Sequence, residues 1–389
     1  MALPLYYNLR NVRVRWQVTL LAVSGIALVV AVFAVLMSMS EGFRTALKST
    51  GRTDNAIVVQ RGSASELTSG VPLDQRNTIL VDDRVARGAD GQPLASWELV
   101  IVVNLPKATD GTPTNVTLRA VPPRAFEVRS GIKIVEGRGF MAGLDEVIVG
   151  RKLTERMRGL HLGGTVKYQQ RQLPIVGVFE SQGGAFESEI WGDFDTFGAI
   201  FQRGSGSNSL VVRMKDPAAI PELDRFIRSQ PQMQLQAVQE RKYYEDQAGP
   251  LASILRILAS GVAFIMGVGA VFGALNTMYA IVAARTREIG TLRALGFSRR
   301  AILASFLIES VILAIVGGAV GCLLAFPMNG ISTGTGQTQS FSEIAFAFQI
   351  TPGIVLIGMV FAAVMGVVGG LFPAFKAARL PITMALREA

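Results

Sequence analysis

Four long runs of apolar residues divide this chain, and each is long enough to cross a lipid bilayer. An α-helix rises 1.5 Å per residue, so about 20 apolar residues span a hydrocarbon core of about 30 Å. The runs cover residues 18–39, 257–284, 302–326 and 353–372. This pattern predicts an α-helical membrane protein with four transmembrane helices.

The first run has an alternative interpretation as a cleavable signal peptide, because basic residues precede it near the N-terminus. However, it is longer than the apolar core of a signal peptide, and Ser38-Met39-Ser40-Glu41 is a poor cleavage site. We therefore expect a retained membrane anchor.

The long segment between the first two spans, residues 40–256, has the pattern of a mixed α+β domain. Short β-branched runs bounded by Gly, Pro, Asp or Asn predict strands. The predicted strands are 57–60, 99–104, 115–120, 146–150, 165–168, 173–179 and 209–214. Helical apolar spacing predicts helices over 152–158 and 220–229, and helical stalks over 41–49 and 241–253. Residues 62–92 are polar and poorly periodic, which predicts a loop.

The composition is typical of a membrane protein: 50% of the 389 residues are hydrophobic, 17% are charged, and the mean hydropathy is +0.38. The net charge of +9 resides in three short segments beside the spans, residues 1–17, 285–301 and 373–389. The long segment between the first two spans is close to neutral. This distribution removes the main support for nucleic-acid binding.

The same arginine asymmetry predicts the topology. Cytoplasmic loops of membrane proteins carry an excess of Lys and Arg, so we assign the three basic segments to the cytoplasm. Residues 327–352 carry one acid, Glu343, and no base, which indicates a short loop on the opposite side. Both termini are then cytoplasmic, and residues 40–256 form an extracytoplasmic domain.

Catalytic motifs are missing from the sequence. It contains no G-x-x-x-x-G-K-[ST] phosphate loop, so we expect no ATP hydrolysis by this chain. The Gly-Ser-Gly-Ser stretch at 204–207 has no histidine nearby and is interpreted as a linker. His161 stands alone and Cys322 lies within a predicted span, so neither predicts a metal site or a disulfide.

One stretch of the domain is crowded with acidic residues, namely Glu180, Glu187, Glu189, Asp193 and Asp195. Their spacing matches no EF-hand loop. We interpret them as a solvated acidic face rather than as a calcium site.

Each of the last three predicted spans carries two glycines four residues apart: Gly269 with Gly273, Gly317 with Gly321, and Gly366 with Gly370. Small residues at this spacing let helices pack closely in lipid, although glycine is common in membrane helices generally. Glu309 lies about two turns into the third span, where a carboxylate is costly unless it faces protein or water. We interpret it as a polar contact rather than part of a proton path, because no second ionisable residue lies at a matching depth.

The loop between the second and third spans contains a short amphipathic helix. Ile289, Leu292 and Leu295 form an apolar stripe at a spacing of three, and Gly296 is suited to a C-terminal cap. A helix of this kind lies in the membrane interface or docks in the groove of a soluble partner. The pattern alone leaves both alternatives open.

This loop and the start of the third span contain a specific motif, R-T-x-E-I-G-x-x-R-A-x-G-x-x-x-x-x-I followed by F-x-x-E. It is formed by Arg285, Thr286, Glu288, Ile289, Gly290, Arg293, Ala294, Gly296, Ile302, Phe306 and Glu309. The motif resembles that of the MacB/FtsX-like permeases of ABC transporters, also called the mechanotransmission or type VII class.

The start, the tail and the external domain extend this resemblance over nearly the whole chain. The start resembles the family's amphipathic N-terminal segment in Asn11, Arg13, Trp16 and Thr19. The tail is similar to the family's G-x-x-P-A-x-x-A-A-R-x-x-P-x-x-A-L-R ending. The matching residues are Gly370, Pro373, Ala374, Ala377, Ala378, Arg379, Pro381, Ala385, Leu386 and Arg387. The external domain is similar to the MacB-type periplasmic core at residues 121–128, 136–138, 149–150, 162–164 and 176–178.

The resemblance implies a permease subunit without a fused ATPase, because only about 17 residues precede the first span. ATP and Mg²⁺ then bind a separate cytoplasmic ATPase dimer, while this chain is non-catalytic and carries no cofactor. A second copy, or a homologous permease, completes the assembly in the bacterial inner membrane. A periplasmic adaptor and an outer-membrane channel are further partners known in the family.

In this family a coupling helix docks on the ATPase, and its motion reaches the external domain through the spans and stalks. The resemblance assigns this coupling role to Arg285, Glu288, Ile289, Leu292, Arg293 and Gly296. It implies export of a lipid, lipoprotein, peptide or drug. The alternatives are an FtsX-like regulator of a periplasmic cell-wall hydrolase and, outside the family, a membrane sensor. The large external domain favours export.

Overall fold

The computed structural model describes residues 16–168, 171–202, 206–336 and 342–381. The predictions for the N-terminal segment, for the linker around Gly204 and for the last residues of the tail therefore lie wholly or partly outside the described residues. The chain divides into two compact units. The first, here called the membrane unit, falls within Met1–Glu41, Ser253–Ile331 and Phe348–Ala389. The second, the α+β unit, falls within Gly42–Ala252 and Ser332–Ala347.

Within the described residues, four helices are long and apolar enough to cross a membrane, which agrees with the four predicted spans. They are α1 (Trp16–Lys48), α7 (Glu240–Ala283), α9 (Arg299–Ala325) and α10 (Pro352–Arg379). The predicted stalks are continuous with the first two of these helices, which extend well beyond the apolar runs. A shorter helix, α8 (Thr286–Ala294), lies between α7 and α9.

Side-chain caps set the start of two of these long helices. The Ser298 hydroxyl accepts a hydrogen bond from the Ala301 amide (3.2 Å), and α9 begins at the next residue. Thr351 accepts from the Ile354 amide in the same way, with Pro352 in the first turn of α10. Both caps satisfy amides that have no partner within the helix.

The α+β unit consists of short helices around β-strands. Its strands are β1 (Asn55–Gln60), β2 (Ala95–Pro106), β3 (Pro113–Val121), β4 (Lys133–Gly137), β5 (Val147–Gly150), β6 (Thr165–Tyr168), β7 (Arg171–Glu180), β8 (Glu189–Asp193), β9 (Ser209–Arg213), β10 (Leu235–Gln239), β11 (Ser332–Gly336) and β12 (Glu343–Ala347). Its short helices are α2 (Leu73–Leu80), α3 (Ala125–Val128), α4 (Arg151–Arg156), α5 (Phe194–Ile200) and α6 (Ile220–Ser229). All seven predicted strands and both predicted helices are present.

Ten strands form one mixed sheet in the order β10-β1-β9-β2-β3-β8-β5-β7-β4, with β6 paired to β7. The β3–β8 and β5–β7 pairs are parallel, and the remaining pairs of this sheet are antiparallel. Two apolar cores lie along it. One is centred on β1, β9, α2 and α6 and the other on β2, β3, β5, β7 and β8, and Trp97 on β2 packs against both.

Arg119 lies at the centre of the sheet and contacts three glutamates. Its Nη1 is 2.8 Å from Glu66 Oε1 and 2.7 Å from Glu98 Oε2, and its Nε is 2.8 Å from Glu189 Oε2. The guanidinium is 2% exposed, so these carboxylates neutralise a charge that water cannot reach. The indole Nε1 of Trp191 also donates to Glu189 (2.8 Å).

Arg129 continues this network toward the start of α7. Its Nε is 2.9 Å from Glu98 Oε1, and its Nη1 pairs with Glu240, the first residue of α7. The Asn55 side chain donates a further hydrogen bond to Glu240 (2.9 Å), and the guanidinium stacks over Phe186 at 4.4 Å. We refer to these two arginines and four glutamates as the Arg119–Arg129 network.

The predicted solvated acidic face is wrong, because three of its five carboxylates are buried in the α+β unit. Glu189 belongs to the Arg119–Arg129 network. Glu187 is 6% exposed and accepts the amides of Ser181 and Gly183 at 2.8 and 2.7 Å. Asp193 is 1% exposed and caps α5 through the Thr196 amide (3.1 Å). Glu187 and Asp193 therefore bind backbone amides, and Glu189 binds side chains of the network, so none of the three is a solvated surface acid.

Two segments predicted as loops contain regular structure. The helix α2 interrupts residues 62–92, and residues 327–352 contain the β11–β12 hairpin. The hairpin is anchored through the Glu343 carboxylate, which pairs with Arg156, lies 3.1 Å from Lys107 Nζ, and accepts from the Thr114 hydroxyl at 2.8 Å. Residues distant in sequence supply these partners, so local periodicity could not indicate the hairpin.

The network gives the α+β unit a dependence on pH. Burial raises the pKa of Glu189 above its ordinary value, against the opposing charge of Arg119. A raised pKa in the folded state contributes stability at low pH that is lost as pH rises through that pKa. Glu66 behaves in the opposite way. Burial would raise its pKa, but the charge and hydrogen bonds of Arg119 outweigh this and hold it at about 2.

As pH falls toward the ordinary pKa of a glutamate, we expect the wild-type chain to gain more thermal stability than Glu189→Gln, because glutamine cannot take up the proton. The measurement is the melting midpoint of the full chain in detergent across a pH series that descends to that value. Glu222→Gln, which removes an exposed carboxylate on α6, is the matched control and should behave as wild type. Equal gains in wild type and Glu189→Gln would contradict the assignment.

Candidate functional site: the helix between the second and third spans

The candidate coupling helix is α8, and its end is defined by Gly296. That glycine has a φ of +95°, and its amide donates to the Arg293 carbonyl at 3.2 Å. The Phe297 amide donates to the Leu292 carbonyl at 3.1 Å. These two bonds are the Schellman pattern, in which a glycine in the left-handed region ends a helix. The prediction that Gly296 caps the helix is confirmed.

One face of α8 is covered by other helices of the membrane unit. Ile289 is 1% exposed and belongs to an apolar cluster with Ile302 and Phe306 of α9 and Ala374 of α10. Leu292 is half-buried against the same cluster. The chain itself therefore covers two of the three residues of the stripe, in addition to the membrane interface and the partner groove that the pattern left open.

The opposite face of α8 is open. Arg287, Glu288, Thr291, Ala294 and Leu295 are exposed, and the side chain of Leu295 is 71% exposed. This face combines both signs of charge with one large apolar side chain. It is the surface of α8 that another protein can reach.

Arg285 does not lie on this open face. Its side chain is 4% exposed, and its Nη1 lies 2.9 Å from Oε2 of Glu309, which is 3% exposed. Its Nε lies 3.0 Å from Oε2 of Glu288. The expectation that Glu309 has no ionisable residue at its depth is wrong, and the Arg285 side chain is buried within the membrane unit.

Sequence reasoning missed this ion pair although a signal existed. A lone carboxylate in a predicted span requires a counter-charge, and the nearest arginines were in the adjoining loop. Arg293, another predicted coupling residue, is half-buried; its Nε is shielded and has no acceptor among the described residues.

The three glycine pairs have different surroundings. In α9, a Cβ built on Gly317 would lie 3.0 Å from the Ile26 Cβ of α1, and one built on Gly321 would lie 2.9 Å from the Val30 Cβ. In α10, a Cβ built on Gly366 would lie 2.5 Å from the Ala314 Cβ of α9, and Gly370 adjoins Ser310 of the same helix. These two pairs therefore serve packing within the chain.

The third pair, Gly269 with Gly273 on α7, faces open space. A Cβ built at either position meets no heavy atom within 4 Å among the described residues. Large apolar side chains on the same helix are also exposed, including Phe264 and Phe272 at 70% and 63%. This helix is thus the least covered of the four.

Four spans, one α+β domain between the first two of them, and a half-buried helix between the second and third define a class of membrane protein. Comparison with known families identifies the family within this class. Residues 19–230 match the model of the MacB-like periplasmic core domain, and residues 260–382 match that of the FtsX-like permease C-terminal region. The chain belongs to the MacB/FtsX-like family of ABC transporter permeases.

Individual relatives agree with this assignment. The chain is 27% identical to the uncharacterized ABC transporter permease YknZ of Bacillus subtilis, over 95% of this chain and 94% of YknZ. It is 25% identical to the macrolide export ATP-binding/permease protein MacB of Neisseria gonorrhoeae, over 92% of this chain. The match spans about half of that relative's length (55%).

Among solved structures, the chain is similar to the periplasmic region of MacB from Actinobacillus actinomycetemcomitans. The TM-score is 0.38 with 14% identity, over 52% of this chain and 96% of that one. The extracellular domain of YknZ gives a TM-score of 0.36 with 16% identity, over 47% of this chain and 99% of that one.

The glycine geometry predicts that Gly366→Val destabilises the membrane unit. The added side chain would meet Ala314 and the Ser310 carbonyl, and overpacking of this kind costs about 1–3 kcal/mol. Gly25→Val in α1 is the matched control, since a Cβ there meets nothing within 4 Å. The measurement is the detergent denaturation midpoint of the purified chain. A Gly366→Val midpoint equal to that of Gly25→Val would refute close packing of α9 on α10.

Proposed function

We propose that this chain is the permease subunit of an ABC transporter that couples ATP hydrolysis by a separate cytoplasmic ATPase to motion of its periplasmic α+β unit. That motion drives extrusion of a lipid, lipoprotein, peptide or drug. ATP and Mg²⁺ belong to the partner ATPase dimer, and this chain holds neither. The two-faced burial of α8 is the observation that carries the proposal.

A helix that transmits force needs one face fixed in its own subunit and one face free for the partner. On α8, Ile289 provides the fixed face, being buried among residues of α9 and α10. Arg287, Thr291 and Leu295 provide the free face. Leu295, with its large exposed apolar side chain, is suited to anchor an interface, because buried apolar residues at the centre of a contact supply most of its free energy.

Two features of the other helices support the proposal that motion is transmitted toward the α+β unit. The helices α1 and α7 are continuous far beyond the length needed for a bilayer, 33 and 44 residues respectively. The first residue of α7, Glu240, is bound into the Arg119–Arg129 network. A displacement along α7 would therefore be delivered to a buried, hydrogen-bonded set of charges.

The names of the relatives support export as the outcome. The Neisseria gonorrhoeae relative is a macrolide export protein, and a Pseudomonas savastanoi relative at 26% identity is named for pyoverdine export. We further propose a second copy or a homologous permease as partner, with the open Gly269–Gly273 face of α7 available for it. A periplasmic adaptor and an outer-membrane channel complete the proposed export path.

The coupling role predicts that Leu295→Asp weakens recovery of the ATPase roughly 30-fold, which corresponds to about 2 kcal/mol. A charge at the centre of a contact would be buried without a partner. The measurement is pull-down of the cognate ATPase by matched amounts of membrane-inserted wild type and variant. Leu295→Asp should leave folding intact, because the side chain is exposed, unlike that of Leu292.

The matched control is Leu162→Asp, which places the same charge on a leucine of the α+β unit that is 44% exposed. It should recover the ATPase as wild type does. Recovery of the ATPase by Leu295→Asp equal to that by wild type would show that α8 is not the docking helix.

Topology is predicted from the arginine asymmetry, in a bacterial inner membrane with both termini in the cytoplasm. Reporters fused at Arg299 and at the C-terminal Ala389 should be cytoplasmic, while one inserted at Gly91 should be periplasmic. Paired alkaline phosphatase and fluorescent protein fusions measure this. A cytoplasmic signal at Gly91 would show that the chain has the opposite orientation. In that orientation α8 could not contact a cytoplasmic ATPase.

A further inference from the structure

A buried ion pair joins the approach to α8 with the third span. Nη1 of Arg285 is 2.9 Å from Oε2 of Glu309, and the two side chains are 4% and 3% exposed. Residue 285 immediately precedes α8, and residue 309 lies in α9. A hydrogen bond between two charged groups has a preferred geometry, and removal of one partner leaves the other charge buried and unpaired.

The same guanidinium also contacts α8 itself. Nε of Arg285 is 3.0 Å from Oε2 of Glu288, whose side chain is 54% exposed. The Arg285 Cζ lies 5.0 Å from the centre of the Phe306 ring on α9, which holds the plane of the guanidinium. Arg285 therefore binds a carboxylate on each of the two helices at once.

Apolar contacts also join α8 and α9. Ile289 packs against Ile302 and Phe306 in one cluster, and Leu292 borders it. Apolar packing has little directional preference, so it resists separation of two helices more than sliding between them. The charged contact has a fixed geometry, which makes it the part of this interface that resists sliding.

We propose that Arg285 and Glu309 are positioning residues that fix α8 to the third span, so that displacement of α8 by a bound partner is passed to α9. This role rests on the proposed function. It separates docking from transmission, since Glu288, Thr291 and Leu295 lie on the exposed face while Arg285 and Glu309 lie behind it. Loss of the ion pair should leave binding of the partner to α8 nearly intact. Displacement of α8 should then no longer be passed to the spans.

The experiment uses the full chain in lipid nanodiscs with the ATPase that co-purifies with wild type. Glu309→Gln keeps the shape of the side chain and removes its charge. We expect bound ATPase per permease within about 2-fold of wild type, and permease-stimulated ATP turnover per bound ATPase lower by about 10-fold, the usual scale of coupling between sites. Glu222→Gln, a carboxylate loss on the surface of the α+β unit, should change neither quantity.

A double-mutant cycle tests the pair itself. Arg285→Gln and Glu309→Gln should each lower turnover, and the double variant should lower it by less than the product of the two single effects, because contacting residues are not additive. Charge reversal is avoided, because a carboxylate at position 285 would face Glu288, whose Oε2 lies 3.0 Å from Nε of Arg285. Arg285→Lys, which keeps the charge, should retain more turnover than Arg285→Gln. Turnover by Glu309→Gln equal to wild type, or two losses that multiply in the folded double variant, would overturn the proposal.

A readout without ATPase keeps this inference separate from the proposed function. In the chain alone, Glu309→Gln should raise amide hydrogen exchange across residues 286–294 by about 10-fold, since α8 loses its directional anchor. If wild type recovers no ATPase, the proposed function fails and exchange alone decides the anchoring. Unchanged exchange in Glu309→Gln would show that apolar packing suffices and would reject the pair as an anchor.

Discussion

The α+β unit depends on one interaction, the pairing of buried Arg119 with glutamates from three distant parts of the chain. Glu98, Glu66 and Glu189 are 21, 53 and 70 residues away in sequence. Removing the guanidinium would strand these carboxylates in the interior at a cost of about 3–5 kcal/mol. Because the partners meet only when β2, β3 and β8 are in register, the network specifies the order of the sheet as well as stabilising it.

Four carboxylates and two guanidiniums leave an excess of negative charge in this interior, and neutral donors offset it. The Tyr244 hydroxyl and the Ser209 hydroxyl donate to Glu66 at 3.1 and 2.7 Å, and Trp191 donates to Glu189. Hydrogen bonds to a charged acceptor favour its ionised form. The network is therefore held by aromatic and hydroxyl side chains as well as by arginines, and one of them, Tyr244, lies on α7 near Glu240.

Local patterns in the sequence predicted the spans, seven strands and the end of α8, because each depends on residues within a few positions. They failed where a distant residue decides burial. The acids of the β8 segment, Glu189–Asp193, indicated a surface face, whereas the charge that favours burial of Glu189 comes from Arg119 on β3. The apolar stripe on α8 indicated that something covers it, but could not distinguish a partner protein from residues of α9 and α10. Arg285 was assigned to docking for the same reason, since the motif does not indicate which way its side chain points.

The glycine pairs extend this argument to the membrane unit. Gly366 lets α10 approach α9 until the Ser310 hydroxyl donates to the Gly366 carbonyl at 2.7 Å, a bond that a larger side chain would prevent. Close backbone packing and this hydrogen bond join α9 to α10, and Arg285 adds the approach to α8 through Glu309. The equally spaced Gly269 and Gly273 on α7 have no such neighbour in the described part of the chain. The same spacing therefore serves internal packing in two helices and leaves a free face on a third, so the motif alone cannot identify an oligomer contact. Burial of each glycine distinguishes the two uses.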